Sequence, residues 1–393
     1  MTNPIEHIHK LAVEIGPRPS TSPQERAAAN YGAEFLSGLG LEVTFQHFHA
    51  PATWTWFNFL GYLLALLGII LYLVWPPLGL VLTAVAAIAA IAENDNRPFL
   101  SRLVPKRESQ NVVGVLRPQN EVRRRVICLA HLDTARSDSA HHPDRVTGFR
   151  TTYLLSAWVL ISLATLYLVG TVVYFIPGLS IPWRLEWWLS LPLGLVLVYI
   201  EVLLIQRERE GEFVAGANDN ASGVACTLAT AEHFASHPLQ HTELWTVLTG
   251  CEEVAANGAV EFLRARRGQL DNALVLCPDN CGAGRAIYAV VEGMFFAHHA
   301  GPALVRLAEE IRAADPDLDI HPAPYRAGYT DGSAALVRGF QALSMLGLDE
   351  RGVPPNWHWP TDNFDNVDEA TVNTTAEFMR LMIERIDRLP APA

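Results

Sequence analysis

Between Val43 and Ala92 the chain carries no Asp, Glu, Lys or Arg, and this restricts its possible folds more than any other feature. Within that window Trp54–Trp75 is long enough to cross a bilayer, which takes about 20 apolar residues. Pro76-Pro77 then breaks the run, and Leu78–Ala92 leads back as a shorter return. A second uncharged window reaches from Thr151 to Trp183. It begins with one full span (Tyr153–Ile176) and a turn at Pro177-Gly178, and a return from Trp187 to Ile205 follows, holding Pro192 and Glu201. Trp54, Trp56, Trp75, Trp183, Trp187 and Trp188 cluster at the ends of these runs, where indole rings sit at a headgroup interface. Core helices of soluble proteins rarely stay uncharged on every face over such lengths. Two transmembrane hairpins are therefore expected.

The rest of the composition agrees. Only 18% of the 393 residues are charged, against about a quarter in a soluble protein. The net charge of −12 offers no basic stripe for phosphates, which excludes a nucleic-acid binder. Without 51–92 and 151–206, the remainder has the size of one α/β domain. If both ends of each insert belong to that domain, each insert crosses the membrane an even number of times. The map is then 1–50, 93–150 and 207–393 for one interrupted α/β domain, with hairpins at 51–92 and 151–206. Five cysteines, an odd number without CxxC or zinc-finger spacing, read as buried thiols in a reducing compartment. The N-terminus lacks the apolar stretch of a secretory signal, and the Pro-Ala tail after Leu389 reads as a frayed end.

Outside the hairpins, strand-like and helix-like stretches alternate. Helices are expected at Pro23–Gly38, Ala221–Ala235, Gly258–Arg266 and Pro302–Ala313. Strands are expected at Leu41–Phe48, Arg125–Ala130, Glu243–Leu248, Ala273–Leu276 and Ala342–Leu346. The fold class that follows is α/β: a mostly parallel mixed sheet flanked by helices, with about four transmembrane helices inserted as two hairpins.

Ligand-type residues fall at one place on this map. His131 and Asp133 follow the strand RVICLA, Glu252-Glu253 follow ELWTVL, and Asp279 follows ALVL. His358 lies in the loop after ALSMLG, and Asp219 opens a helix within GANDNASG. In open α/β sheets the carboxyl ends of the strands are where ligands bind. Each motif alone is weak: an isolated HxD is usually a surface loop, Glu-Glu a solvated patch and Asn-Asp-Asn a turn. The order H-x-D, D-N-x-x-G, E-E, D, H is far more specific.

That order, with GANDNASGVA, TGCEEVAANG and WHWPTDN as landmarks, resembles the M28 family of zinc aminopeptidases. IGPRPSTSPQERAAANYGAEFLSGLGLEV is similar to that family's opening helix and strand. M20 carboxypeptidases share a similar ligand order, but the GANDNASG block favours M28. The resemblance implies a peptide substrate and two zinc ions bridged by Asp219. His131 and Asp279 would complete one ion, Glu253 and His358 the other. It further implies Glu252 as general base, Asp133 as the group holding the His131 imidazole, and a cis peptide at Asp219–Asn220. The chemistry is consistent, since zinc accepts imidazole nitrogen and carboxylate oxygen.

There are departures. The family often has Tyr directly before the last His, where Trp357 stands here. The separation of His131 from Asp219 becomes ordinary only once 151–206 is removed. Asp331, in Tyr329-Thr330-Asp331-Gly332, is a candidate pocket residue beside Trp357. His141-His142 and His298-His299 read as surface and helix residues, not as a further metal site. Three rival readings are a single-zinc glutaminyl cyclase of the same fold, a silent M28-like receptor or scaffold, and a transporter. Retention of the full ligand set argues against the first two. Against the third, Glu201 alone is ionisable within a span. Arg97, Arg102, Lys106, Arg107, Arg145, Arg150, Arg207 and Arg209 flank the hairpins on the domain side, and Arg184 alone marks the far side. The positive-inside rule then predicts a multi-pass membrane protein with its catalytic domain in the cytoplasm.

Overall fold

Val126, Cys128 and Ala130 pack into one hydrophobic core and Ile127 and Leu129 into another, the two-residue period of a strand buried on both faces. In the computed structural model, which describes residues 3–177 and 184–390, this strand lies at the centre of a nine-stranded sheet. The strands are β1 (Glu42–Ala50), β2 (Arg107–Leu116), β3 (Arg124–His131), β4 (Thr242–Thr249) and β5 (Leu274–Pro278). They continue with β6 (Arg285–Glu292), β7 (His298–His299), β8 (His321–Tyr325) and β9 (Gln341–Leu348). The order is β1-β2-β4-β3-β5-β9-β6-β7, with β8 paired to β6. The central strands β4, β3, β5 and β9 run parallel, whereas β1/β2, β2/β4, β6/β9 and β6/β7 are antiparallel.

Helices Pro23–Gly38, Gly223–Ser236, Pro302–Ala314 and Glu369–Asp387 contribute to the core on one face. Asn257–Ala265 and Asp331–Val337 contribute to the other. The parallel centre puts the carboxyl ends of β3, β4, β5 and β9 at one edge, where His131 ends β3 and the loops after β4, β5 and β9 carry Glu253, Asp279 and His358. His298-His299 form the short strand β7, not a helix, because β6 recruits them as an antiparallel edge. All five cysteines are buried and unpaired.

By contact the chain divides into two units: Met1–Ala52 with Lys106–Thr147 and Glu212–Ala393, and Thr53–Pro105 with Gly148–Gly211. Among the described residues, the second unit contains four helices long and apolar enough to cross a membrane: Thr55–Tyr72, Pro76–Glu93, Phe149–Phe175 and Arg184–Glu210. The return stroke in the first pair is longer than Leu78–Ala92, since proline is tolerated in a helix's first turn. The first two helices cross where Gly68 meets Gly79: a Cβ on Gly79 would lie 2.8 Å from the Gly68 carbonyl oxygen, so only glycine permits this approach. Tyr72 stacks on Tyr167 with centroids 3.9 Å apart, and Trp187 Nε1 donates to the Ile69 carbonyl at 3.0 Å. Arg207 donates to Thr55 Oγ1 and lies over the Trp54 ring, 4.4 Å from its centroid. Gly178, Trp183, the Arg184 side chain and the last residues of the Pro-Ala tail lie outside the described residues.

Candidate metal centre

β3 ends at His131, and the next residues turn back beneath it. His131 Nδ1 lies 3.0 Å from the backbone carbonyl oxygen of Asp133, which leaves Nε2 facing the sheet edge. Asp219 Oδ1 is 3.2 Å from that Nε2, and Asp279 Oδ1 is 3.5 Å from it. The other oxygen of Asp219, Oδ2, lies 3.1 Å from His358 Nε2, and Glu253 Oε2 lies 3.3 Å from the same nitrogen. Asp219 therefore stands between two imidazoles, with one carboxylate oxygen toward each. Glu252 Oε2 is 4.0 Å from His131 Nε2. His131, Asp219 and Glu253 each offer a donor atom within 4.8 Å of the others. The structure thus brings together His131, Asp219, Glu252, Glu253, Asp279 and His358.

Asp133 borders His131 through two groups, and its carboxylate Oδ1 lies 3.7 Å from the imidazole Nδ1. Its backbone carbonyl meets the imidazole, while its carboxylate accepts from the Glu252 amide at 2.9 Å and the Glu253 amide at 3.2 Å. Ser20 Oγ donates to the same carboxylate at 2.6 Å. Asp133 thereby sets the turn that carries both glutamates. From the other side Glu25 accepts from the Cys251 amide at 2.9 Å and from Ser109 Oγ at 2.8 Å.

The remaining ligand loops are held in similar fashion. Asp362, in the loop after β9, accepts from the backbone amides of Asn218 (2.6 Å) and Asp219 (3.1 Å). The Asp219–Asn220 peptide is cis. Arg18 is fully buried and donates to the carbonyls of Leu11, Gly16, Leu132, Ala215 and Gly216, tying the N-terminal segment to the loops around His131 and Asp219. Cys251, Asn280 and His358 all have positive φ, so each of three ligand loops contains a non-glycine residue in the left-handed region. Such conformations persist where the surroundings enforce them.

Trp357 is buried, its ring centroid 4.9 Å from that of His358. Asp331 is fully buried, and Thr249 Oγ1 donates to it. His141, far from being a surface residue, is buried with its ring against both Trp357 and His358. Sequence reasoning missed Arg18, Ser20, Glu25, His141 and Asp362 as parts of the site. Ser20 and Arg18 stood within a motif already quoted, as did Asp362, but nothing in their type marked them as partners of distant loops.

The electrostatics follow from burial. Burial pushes Glu252 and Glu253 well above the ordinary carboxylate range, and neighbouring carboxylates add to it. Asp331 rises to about 7 for the same leading reason. Asp219 moves the other way: burial opposes its charge, but hydrogen bonds from His131 and His358 hold it below the usual range. His131 rises despite burial, through the charge of Asp279 and its bonds to Asp133, Asp219 and Asp279. His358 falls to about 4, by burial first and then by the charge of His141. Carboxylates thus outnumber the cations beside them in a low-dielectric site, and buried anions of this kind are paired or bind metal. Glu252 Oε1 and Glu253 Oε1 are buried without a hydrogen-bond partner. Imidazole nitrogens with carboxylate oxygens are a donor set that fits zinc.

Residues 202–383 match the model of peptidase family M28; four of the five candidate ligands fall inside that segment and His131 precedes it. No protein of curated function matches the chain by sequence. Among solved structures, a zinc aminopeptidase from Bacillus subtilis is similar with a TM-score of 0.58 at 13% identity, over 99% of this chain and 96% of that one. An aminopeptidase from Aneurinibacillus sp. strain AM-1 gives 0.57 at 13% identity, over 98% and 93% of the two chains. A glutaminyl cyclase from Bacteroides thetaiotaomicron, bound to N-acetylhistamine, gives 0.56 at 14% identity, over 97% and 96%. At such identities the likeness is one of fold.

Proposed function

Starting from the M28 peptidase segment at residues 202–383, we propose that this chain is a membrane-anchored, two-zinc aminopeptidase that removes N-terminal residues from peptides. The observation that carries the reading is Asp219, buried between two imidazoles with one oxygen about equally close to each Nε2. His131 and Asp279 would complete the ligand set on one side, Glu253 and His358 on the other. A zinc pair held by these residues would supply an acidified water and polarisation of the scissile carbonyl.

Within the protein, Glu252 has a carboxylate oxygen without a partner beside the cluster. It takes the proton of the attacking water and returns it to the departing amine nitrogen. Asp133 keeps Glu252 and Glu253 at fixed separation by accepting both of their amides, so that one acts as base while its neighbour stays a ligand. Burial excludes bulk water and strengthens each of these contacts. The hairpins anchor the catalytic unit on the cytoplasmic face, where peptides from membrane or exported proteins are the substrates at hand.

A second reading, a single-zinc glutaminyl cyclase, draws support from the cyclases among the structural neighbours. The donor set extending to both sides of Asp219 favours the two-zinc peptidase. The test is a panel of aminoacyl chromogenic substrates assayed with and without chelator, alongside metal analysis of the same protein. Hydrolysis that chelator abolishes and zinc restores, at two ions per chain, supports the proposal. A metal-loaded protein inactive on every member of the panel contradicts it.

A further inference from the structure

The stretch Asp138–Pro143 contributes to no step above, yet it is closely engaged with the loop that carries His358. Asp138 Oδ1 accepts from the backbone amides of Ala140 (2.9 Å) and His141 (3.2 Å) and lies 2.9 Å from His141 Nδ1. This short turn fixes the His141 ring, which is 3% exposed. The ring meets His358 at a centroid distance of 4.5 Å and Trp357 edge-on at 4.9 Å. One residue on, His142 meets Trp359 at 5.0 Å, and Arg351 donates to the Pro143 carbonyl at 2.8 Å. His358 itself has φ of +52°, in the left-handed region that few non-glycine residues occupy.

We propose that the Asp138–His141 pair is a positioning device for His358, setting the ring orientation through which His358 binds its ion. This rests on the two-zinc reading and adds to it a pair of residues outside the ligand order. The physical reason is that an imidazole ligand must be held in one rotamer to coordinate well, and groups one layer out commonly do this. For His131 the Asp133 carbonyl meets the ring Nδ1 directly. Nothing comparable bonds the His358 ring from its own loop among the described hydrogen bonds. The His141 ring, anchored by Asp138, packs against it instead, and Trp357 closes the stack.

The test uses the full-length protein in detergent, with zinc affinity measured by competition with a chromophoric chelator and site geometry by the visible spectrum of the cobalt(II) form. His358→Ala identifies which binding step belongs to His358. His141→Ala is expected to weaken that step by about 10–100-fold, the usual effect of removing an outer partner, and to change the cobalt spectrum, leaving the other step alone. His141→Phe, which restores a ring without the bond to Asp138, and Asp138→Asn should each fall between wild type and His141→Ala. A purely structural role would lower the melting temperature of the zinc-free protein while leaving the affinity and spectrum unchanged. His141→Ala with wild-type affinity at the His358 step overturns the inference. Wild-type protein that binds no zinc overturns the reading beneath it, and the inference with it.

Discussion

At the scale of single residues, two adjacent glutamates are asked to do different things. Glu253 lies 3.3 Å from His358 Nε2, whereas Glu252 lies 4.0 Å from His131 Nε2. Glu252→Gln is expected to retain zinc and substrate affinity but lose turnover by a factor of about 100 to 10,000. Glu253→Gln should release the ion on the His358 side. Metal content and kcat measured on both variants check this, and equal metal loss in the two would reverse the assignment of base and ligand. The residues that gather at the sheet edge were legible as candidates because zinc chemistry restricts their type and the strand ends restrict their place. His141 was not legible: its role depends on Trp357 and His358, more than two hundred residues away, and a lone histidine pair carries no such information. Asp133 was legible as a neighbour of His131, but its bonds to the Glu252 and Glu253 amides were not, since spacing says nothing of contacts to a distant turn.

At the scale of elements, the central parallel strands were readable from their apolar runs, and the strands that escaped notice lie toward the flanks of the sheet. β8 contains Pro322 and Pro324, which sequence alone argues against a strand and an edge position permits. β2 begins with the polar run Arg107–Asn111 and becomes a strand through its partners β1 and β4 on either side. What joins these elements at the site is Arg18, whose guanidinium reaches five carbonyls from three stretches of chain. A lysine offers one ammonium and cannot span that set. Arg18→Lys would leave several buried carbonyls unpaired, at about 1–3 kcal/mol each. The expected outcome is a loss of more than about 3 kcal/mol, together with weaker zinc binding, because Leu132 and Gly216 border the His131 and Asp219 loops. Unfolding in denaturant and a chelator titration test both parts; wild-type stability with wild-type affinity would contradict them.

At the scale of the whole molecule, two apolar pairs of helices interrupt the sequence that forms the sheet, yet the candidate ligands still meet at its edge. With the basic flanks on the domain side, protease added to sealed vesicles should digest the catalytic unit only where the cytoplasmic face is outward. Digestion from the opposite face would reverse the orientation. The central claim, a metal-dependent removal of N-terminal residues, is tested most directly by mass spectrometry of one peptide. A peptide beginning with glutamine, incubated with the zinc-loaded protein, distinguishes the two reactions that this fold accommodates among its neighbours. The account predicts a product shortened by the whole N-terminal residue, formed only with zinc and absent when the amine is acetylated. A product of full length that has lost ammonia alone would contradict it.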